Sequence, residues 1–370
     1  MTLRNLAVLA FVVTPAFCGD WNPRLAAEYL DGRQKEWFAW PRANTSGVPC
    51  VSCHTGVAYL LVRPALRRAL GENERTPYEA GLVAGLKSRV DKRDAKALFP
   101  GKMGLGATQS TGVEAVLAAL LLATEDAPTG KLSEEAEKAL DRMWSLQTST
   151  GKTAGTWDWT DAQLDPWETA DSVFYGASLA ALATGVAPSG YQSRLAIRGN
   201  VGALKKYLQA QLETQPLHNR MILLWASTKL SDALSAAQQR AILEEVRRRQ
   251  QDDGGWTIEG LGTWGKHEAA PPSSGSNSYA TAITAFVLQR AGVAPGDRAL
   301  SRALDWLRAH QDPEFGFWDA QSMNKVYPAN SMQLRFMRDA ATGYAALALL
   351  ESNSAEHQPT SQAAAVRRVK

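Results

Sequence analysis

Cysteine is scarce in this chain: there are three among 370 residues. Cys18 ends an apolar leader, and with it set aside only Cys50 and Cys53 remain, two positions apart. Such a pair is not a disulfide framework. Concentrated charge is lacking too. The net charge is +3, and lysines and arginines are dispersed, whereas a nucleic-acid surface gathers them with exposed aromatics. The one basic run, Arg247-Arg248-Arg249, falls late on an expected helix, where it suits the helix dipole. No stretch after the leader is long and apolar enough for a transmembrane helix. Strand signals are nearly absent, and no Gly/Ser-rich linker divides the chain. These absences exclude a disulfide-stapled fold and a sheet protein, and they point to no nucleic-acid partner.

The leader itself reads as an export signal over residues 1–18. Arg4 supplies the positive start, Leu6 to Val13 the short apolar core, and Ala16-Phe17-Cys18 a small-x-small cleavage site. Acylation of Cys18 as a lipid anchor is the rival reading, and the bulky Phe17 argues against it. The mature protein is expected outside the cytoplasm, in a periplasm.

What is abundant is helical periodicity. Leu300, Ala303, Leu304 and Leu307 follow the spacing of a one-sided helix, as do Ile242, Leu243 and Val246. Other segments are apolar all round: Tyr279 to Leu288, Ala177 to Ala183, and Val113 to Ala123 apart from Glu114. A helix without a polar face is a buried helix. Buried helices are expected near 112–124, 170–184, 218–230, 278–291 and 338–350. Half-exposed ones are expected near 133–147, 198–213, 235–250 and 297–310, with shorter helices near 58–70 and 77–88. The alternation suits a double-layered ring, an all-α, α/α toroid, over residues 105–351. The polar tail 352–370 is expected to be disordered.

Long loops rich in Gly, Pro and Trp join the helices: Thr148–Pro166, Asp252–Asn277 and Asp312–Asn330. They carry a repeat. Gln250 to Trp256 fits Q-x-x-x-G-x-W. Gln311 to Trp318 fits with one extra residue, and Gln147 with Gly155 and Trp157 fits with a longer insertion. Gln can cap orphan groups at helix ends while Trp covers the loop, so the expected role is a structural staple. These repeats resemble the QW motifs of squalene–hopene cyclases. The resemblance implies an α/α toroid with a central cavity. That family begins its reaction with a D-x-D-D acid motif, which this sequence lacks.

Cys50-Val51-Ser52-Cys53-His54 is C-x-x-C-H. Two thiols at this spacing reach the two vinyl groups of one haem, and the adjacent imidazole points at the iron. Such attachment occurs outside the cytoplasm, in agreement with the leader. Haem c is therefore the expected cofactor, with Cys50, Cys53 and His54 holding it and His54 as proximal iron ligand. For the other axial position, Met103 in a Phe-Pro-Gly-Lys-Met-Gly loop is a candidate. His218 or His267 would serve only if the motif packs against the ring, and a five-coordinate iron with an open face is the remaining option. Residues 19–104, with Trp21, Trp37, Trp40 and Tyr59, are expected to form a short haem-binding segment docked on the toroid.

For chemistry within the ring, the candidate acids are Glu168 and Asp339, with Asp158, Asp161 and Asp171 as neighbours in the Trp-rich loop. Trp167, Tyr175, Asn219, Arg220, Trp225 and Arg338 are candidate cavity residues, each weighed against a plain core or capping role. The leading expectation is an exported monohaem redox protein, exchanging electrons with an apolar small molecule or a partner protein. The alternatives are an enzyme acting on an isoprenoid or other lipid, and a lipid- or polysaccharide-binding module.

Overall fold

The computed structural model describes residues 21–44, 47–91, 105–264, 274–323 and 326–356, with backbone alone for 105 and 353–356. The expected signal with Cys18, the Met103 loop, His267 and the tail from 357 lie outside the described residues.

Thirteen α-helices are present among the described residues, and no strand beyond one isolated bridge between Leu164 and Glu168. They are α1 (Pro23–Ala39), α2 (Gly56–Ala69), α3 (Pro77–Val90), α4 (Leu105–Asp126), α5 (Glu134–Ser145), α6 (Ser172–Val186), α7 (Arg198–Gln211), α8 (Leu217–Ser227), α9 (Ala236–Arg248), the single-turn α10 (Ile258–Leu261), α11 (Ser278–Arg290), α12 (Arg298–Ala309) and α13 (Phe336–Glu356).

Six of them form an inner ring. α2 packs on α4, α4 on α6, α6 on α8, α8 on α11, α11 on α13, and α13 returns to α2. Outside it, α1, α3, α5, α7, α9 and α12 pack on the inner staves, so the architecture is an α/α toroid. Sequence pattern explains the sorting. α6 carries no charge, and nearly all its residues are buried. α12 buries only Leu300, Ala303, Leu304, Trp306 and Leu307, and Asp297 caps it by accepting from the Ala299 and Leu300 amides. Contrary to the expectation from sequence, the span Gly106–Thr129, which overlaps α4, is long and apolar enough by composition to cross a membrane, but 78% of its most apolar 18-residue window is buried in the ring wall.

The N-terminal segment is part of the ring rather than an attachment to it, since it supplies one inner stave and two outer helices. α1 starts on Asn22, whose side chain accepts from the Arg24 and Leu25 amides, with Pro23 at the first helical position. At the other end, α13 continues to Glu356, past the point where the tail was expected to begin.

The QW loops are staples. The indole N–H of Trp157, Trp256 and Trp318 donates to Met143, Val246 and Leu307, each a carbonyl in the last turns of the preceding outer helix. Gln147 donates to Gly155 O and Asn200 O, Gln250 to Gly254 O and Ala299 O, and Gln311 to Gly316 O and Asn22 O. Each glutamine thus ties its own loop to the start of the next outer helix. The three glycines have positive φ (97°, 100° and 76°), and a Cβ on them would meet Ala203, Arg302 and Leu25. Each collision partner lies three residues beyond the glutamine's acceptor, so the contact repeats in register around the ring.

Candidate functional site

The C-x-x-C-H residues form the turn that opens α2, held between α1 and α13. Ser52 Oγ accepts from the Thr55 and Gly56 amides at 3.1 Å each, which caps the start of α2. From α1, Trp37 Nε1 donates to Cys50 O at 2.7 Å and Gln34 Nε2 donates to Thr55 O at 3.2 Å. From α13, the Phe336 ring stacks on the His54 imidazole with centroids 3.5 Å apart and 18° between planes. Trp37 meets the same imidazole edge-on at 5.7 Å.

This turn forms one wall of a cavity of about 380 Å³, within the range of small-molecule pockets. Cys50, Val51, Ser52 and His54 line it, with Trp37 and Trp40 from the α1 side, Glu114 from α4, Glu168 from the Trp-rich loop, and Tyr327 and Phe336. Arg42, an exposed residue, stands at its rim over the Trp40 ring. Glu168, expected as an acid in the ring, therefore shares a cavity with the haem-motif residues. Cys53 is 2% exposed and does not line this wall. Its thiol is instead close enough to raise the Tyr175 and Tyr344 phenols.

Burial dominates the electrostatics. It pushes the Cys50 thiol up to about 11, with Arg89 opposing and Glu114 and Glu168 adding to it. Cys53 is raised well above the usual thiol value for the same reason. Burial lowers His54 to about 3, with Arg33 assisting, so its imidazole is neutral.

Asp339 occupies a different place from the cavity. It is fully buried and receives four donors: Tyr29 OH and Arg33 Nε on Oδ1, each at 2.8 Å, and Thr55 Oγ1 at 2.8 Å and Arg33 Nη2 at 3.1 Å on Oδ2. Burial raises its carboxyl while Arg33 opposes the rise. Four donors and no acceptor surround it, so the hydrogen bonds fit the carboxylate. Thr55 Oγ1 in turn lies 2.9 Å from His54 Nδ1.

The remaining candidates scatter. Asp161, Asp171 and Asn219 line a second cavity of about 580 Å³ with Trp264 and Pro216. Asp171 sits at the N-cap of α6 without a capping hydrogen bond, and Asp158 is exposed. Arg220 pairs with Glu245 at 2.8 Å, and Arg338 with Asp319 at 2.6 Å. Trp225 is a core residue packed edge-on against Phe286. Buried His218 bonds to Tyr279 OH at 2.8 Å, and that hydroxyl also accepts from Trp167 Nε1 at 3.2 Å. Ring contacts thus run from His54 to Trp167 (5.9 Å), Trp167 to Tyr279 (5.3 Å), Tyr279 to His218 (6.0 Å) and His218 to Trp264 (5.8 Å).

Sequence reasoning passed over Glu114, Thr55, Arg33 and Tyr29. Glu114 had a signal: it is the lone charge in an otherwise apolar helix, and it accepts from Arg89 Nε at 3.0 Å while lining the first cavity. Among the described residues, no group of three or more His, Cys, Asp or Glu side chains is placed to hold a bare metal ion.

The residues suit a covalently held haem at two of its three points. His54 offers a neutral imidazole at the cavity, and Cys50 stands on the same wall. The Cys53 thiol lies behind the turn and would have to come forward.

No protein-family model matches this chain, and no curated protein matches it. Among solved structures, it is similar to a glycosidase, with 11% identity and a TM-score of 0.47 over 91% of this chain and 98% of that one. A likeness of that strength argues for no activity here.

Proposed function

We propose that this chain is an exported monohaem c-type redox protein, built on a toroid resembling that of the squalene–hopene cyclases. It would exchange electrons with a small molecule or partner protein at the first cavity. The observation that carries the reading is the placing of C-x-x-C-H on the turn that opens an inner stave, with Cys50 and a neutral His54 on one cavity wall. A haem there would supply a one-electron couple. The chain's own residues do the rest. Trp37 and Phe336 fix the imidazole plane, Trp40 and Leu164 keep the wall apolar, and Arg42 offers a cation at the rim.

The isoprenoid-enzyme reading has less support. Of its two proposed acids, Asp339 is bound to Arg33 away from both cavities, which leaves Glu168 alone. The second cavity is lined mostly by polar side chains, which suits an apolar chain poorly.

The test is expression of the whole chain with a haem-maturation system, followed by denaturation and mass measurement. The expected result is a polypeptide heavier by one haem, with the mass gain lost in a Cys50→Ser, Cys53→Ser double variant. A bare polypeptide mass for the exported wild type would end the reading.

A further inference from the structure

We propose that Asp339, acting through Thr55, is a positioning residue that holds His54 as its Nδ1–H tautomer, leaving the Nε2 lone pair for the cavity. This deepens the haem reading and rests on it for its consequence, though not for its geometry.

The argument is a count of protons. Asp339 takes four hydrogen bonds, from Tyr29, twice from Arg33, and from Thr55 Oγ1 at 2.8 Å. A carboxylate has no proton to return, so the single hydroxyl proton of Thr55 is committed to Asp339. Only the lone pairs of Thr55 Oγ1 then face His54 Nδ1, 2.9 Å away. That contact is a hydrogen bond only if Nδ1 carries the proton. The Thr55 backbone N–H also lies 2.9 Å from Nδ1 and would favour the opposite tautomer. It has another acceptor, however, in Ser52 Oγ at 3.1 Å. Among the described residues, Thr55 Oγ1 has no other donor to satisfy it. The proton therefore belongs on Nδ1, and Nε2 is the bare nitrogen.

Two further observations set the ring's orientation. Phe336 covers one face of the imidazole, with centroids 3.5 Å apart, and Trp37 meets it edge-on. Stacking on the face does not itself occupy the in-plane Nε2, and His54 lines the first cavity. Ligand histidines commonly donate their other N–H to a carboxylate, a carbonyl or water, which raises their basicity. Here the carboxylate acts at one remove, through a hydroxyl contributed by the neighbour of the ligand itself. Arg33, only 2% exposed, anchors the far side of that carboxylate.

The first measurement needs no haem. Ring nitrogen chemical shifts of ¹⁵N-histidine in the haem-free full chain, assigned with a His54→Gln variant, report the tautomer. Protonated Nδ1 and bare Nε2 are expected; protonated Nε2 in the wild type overturns the proposal. In the haem-loaded chain, Thr55→Val and Asp339→Asn are expected to raise the reduction potential and lower the iron–histidine stretching frequency. Thr55→Ser should restore both toward wild type. Potential and frequency unchanged in Thr55→Val overturn the proposal even if Asp339→Asn does not fold. A wild-type chain that takes up no haem, yet shows protonated Nδ1, defeats the haem reading and leaves the relay standing.

Discussion

Gln311, on the loop after α12, donates to the backbone oxygen of Asn22 at 2.9 Å and accepts from the Asn22 amide at 2.6 Å. Asn22 is the cap of α1, so this pair joins the last outer helix to the first and closes the outer layer across 289 residues of chain.

Loss of that clasp should weaken the whole molecule, not one segment. Each intramolecular hydrogen bond contributes about 1 kcal/mol net, so Gln311→Ala is expected to cost about 1–3 kcal/mol. Urea unfolding followed by tryptophan fluorescence should show one transition at a lower midpoint with an unchanged slope. Two separated transitions would mean that residues 21–90 fold apart from the ring.

The glycine in the same loop offers a sharper contrast. Gly316 has φ +76°, and a Cβ there would collide with Leu25 of α1, whereas Gly190 has φ +67° in open space. Both alanine variants bear the left-handed backbone penalty of about 1 kcal/mol. Only Gly316→Ala must also push α1 away, so its melting temperature should fall clearly further than that of Gly190→Ala. Equal losses would argue that the two layers are not locked at this point.

Much of the architecture was legible because it is written in local patterns. α12 announces itself through Asp297 and the 300, 303, 304, 307 stripe, and α6 through its lack of charge. Besides the single-turn α10, the helix missed was α1, although Asn22-Pro23 is a start signal and Ala26, Ala27, Leu30 and Trp37 follow helical spacing. Polar Arg33 and Gln34 sit among its buried positions and blunt the apolar stripe, which obscures the membership of α1 in the ring. The site was legible only where chemistry and sequence are contiguous, as in Cys50 to His54. Asp339 reads from sequence as a candidate acid or a helix cap because its partners are distant: Thr55 lies 284 residues away and Arg33 306. No local pattern encodes a pairing of that separation.

That difference predicts opposite behaviour for the two carboxylates once expected as acids. Asp339→Ala leaves the buried Arg33 guanidinium with only the exposed Glu36 as an ionic partner, and removal of one partner from a buried pair costs about 3–5 kcal/mol. Glu168→Gln, at a half-buried cavity wall, should cost less than about 1 kcal/mol. Chemical denaturation of both variants decides it, and a more damaging Glu168→Gln would mean that the cavity wall depends on the Glu168 charge.

His218 should make stability depend on acid. Burial lowers it to about 4, while an unfolded histidine titrates near 6.5. As pH falls through that interval, the unfolded chain binds a proton that the folded chain refuses. The contribution is thus complete above about pH 6.5 and is lost toward about pH 4, by about 1.4 kcal/mol per pH unit. His54, lowered further, adds a similar slope in the haem-free chain. Urea midpoints between about pH 7 and about pH 5 should fall, and His218→Gln should flatten the fall. A slope unaffected by that change would place the acid sensitivity elsewhere.

The thiols lead to a prediction about order. The thiolate is the reactive form, and burial pushes Cys50 up to about 11 and raises Cys53 well above the usual thiol value. In the folded haem-free chain both should alkylate slowly near neutral pH, with Cys50, on the cavity wall, modified before Cys53, which is 2% exposed. Trp37 and Gln34 of α1 hold the turn from one side and Phe336 from the other, so Cys53 becomes available only when those contacts open. On the proposed haem reading, covalent capture by both thiols would then precede closure of α1 and α13 over the turn. Folded haem-free protein given haem and reductant should gain little covalent haem, whereas chain first unfolded and then supplied with the maturation system should gain it. Peptide mass spectrometry of both preparations distinguishes them, and ready two-point attachment to the already folded chain would show that the turn opens without unfolding.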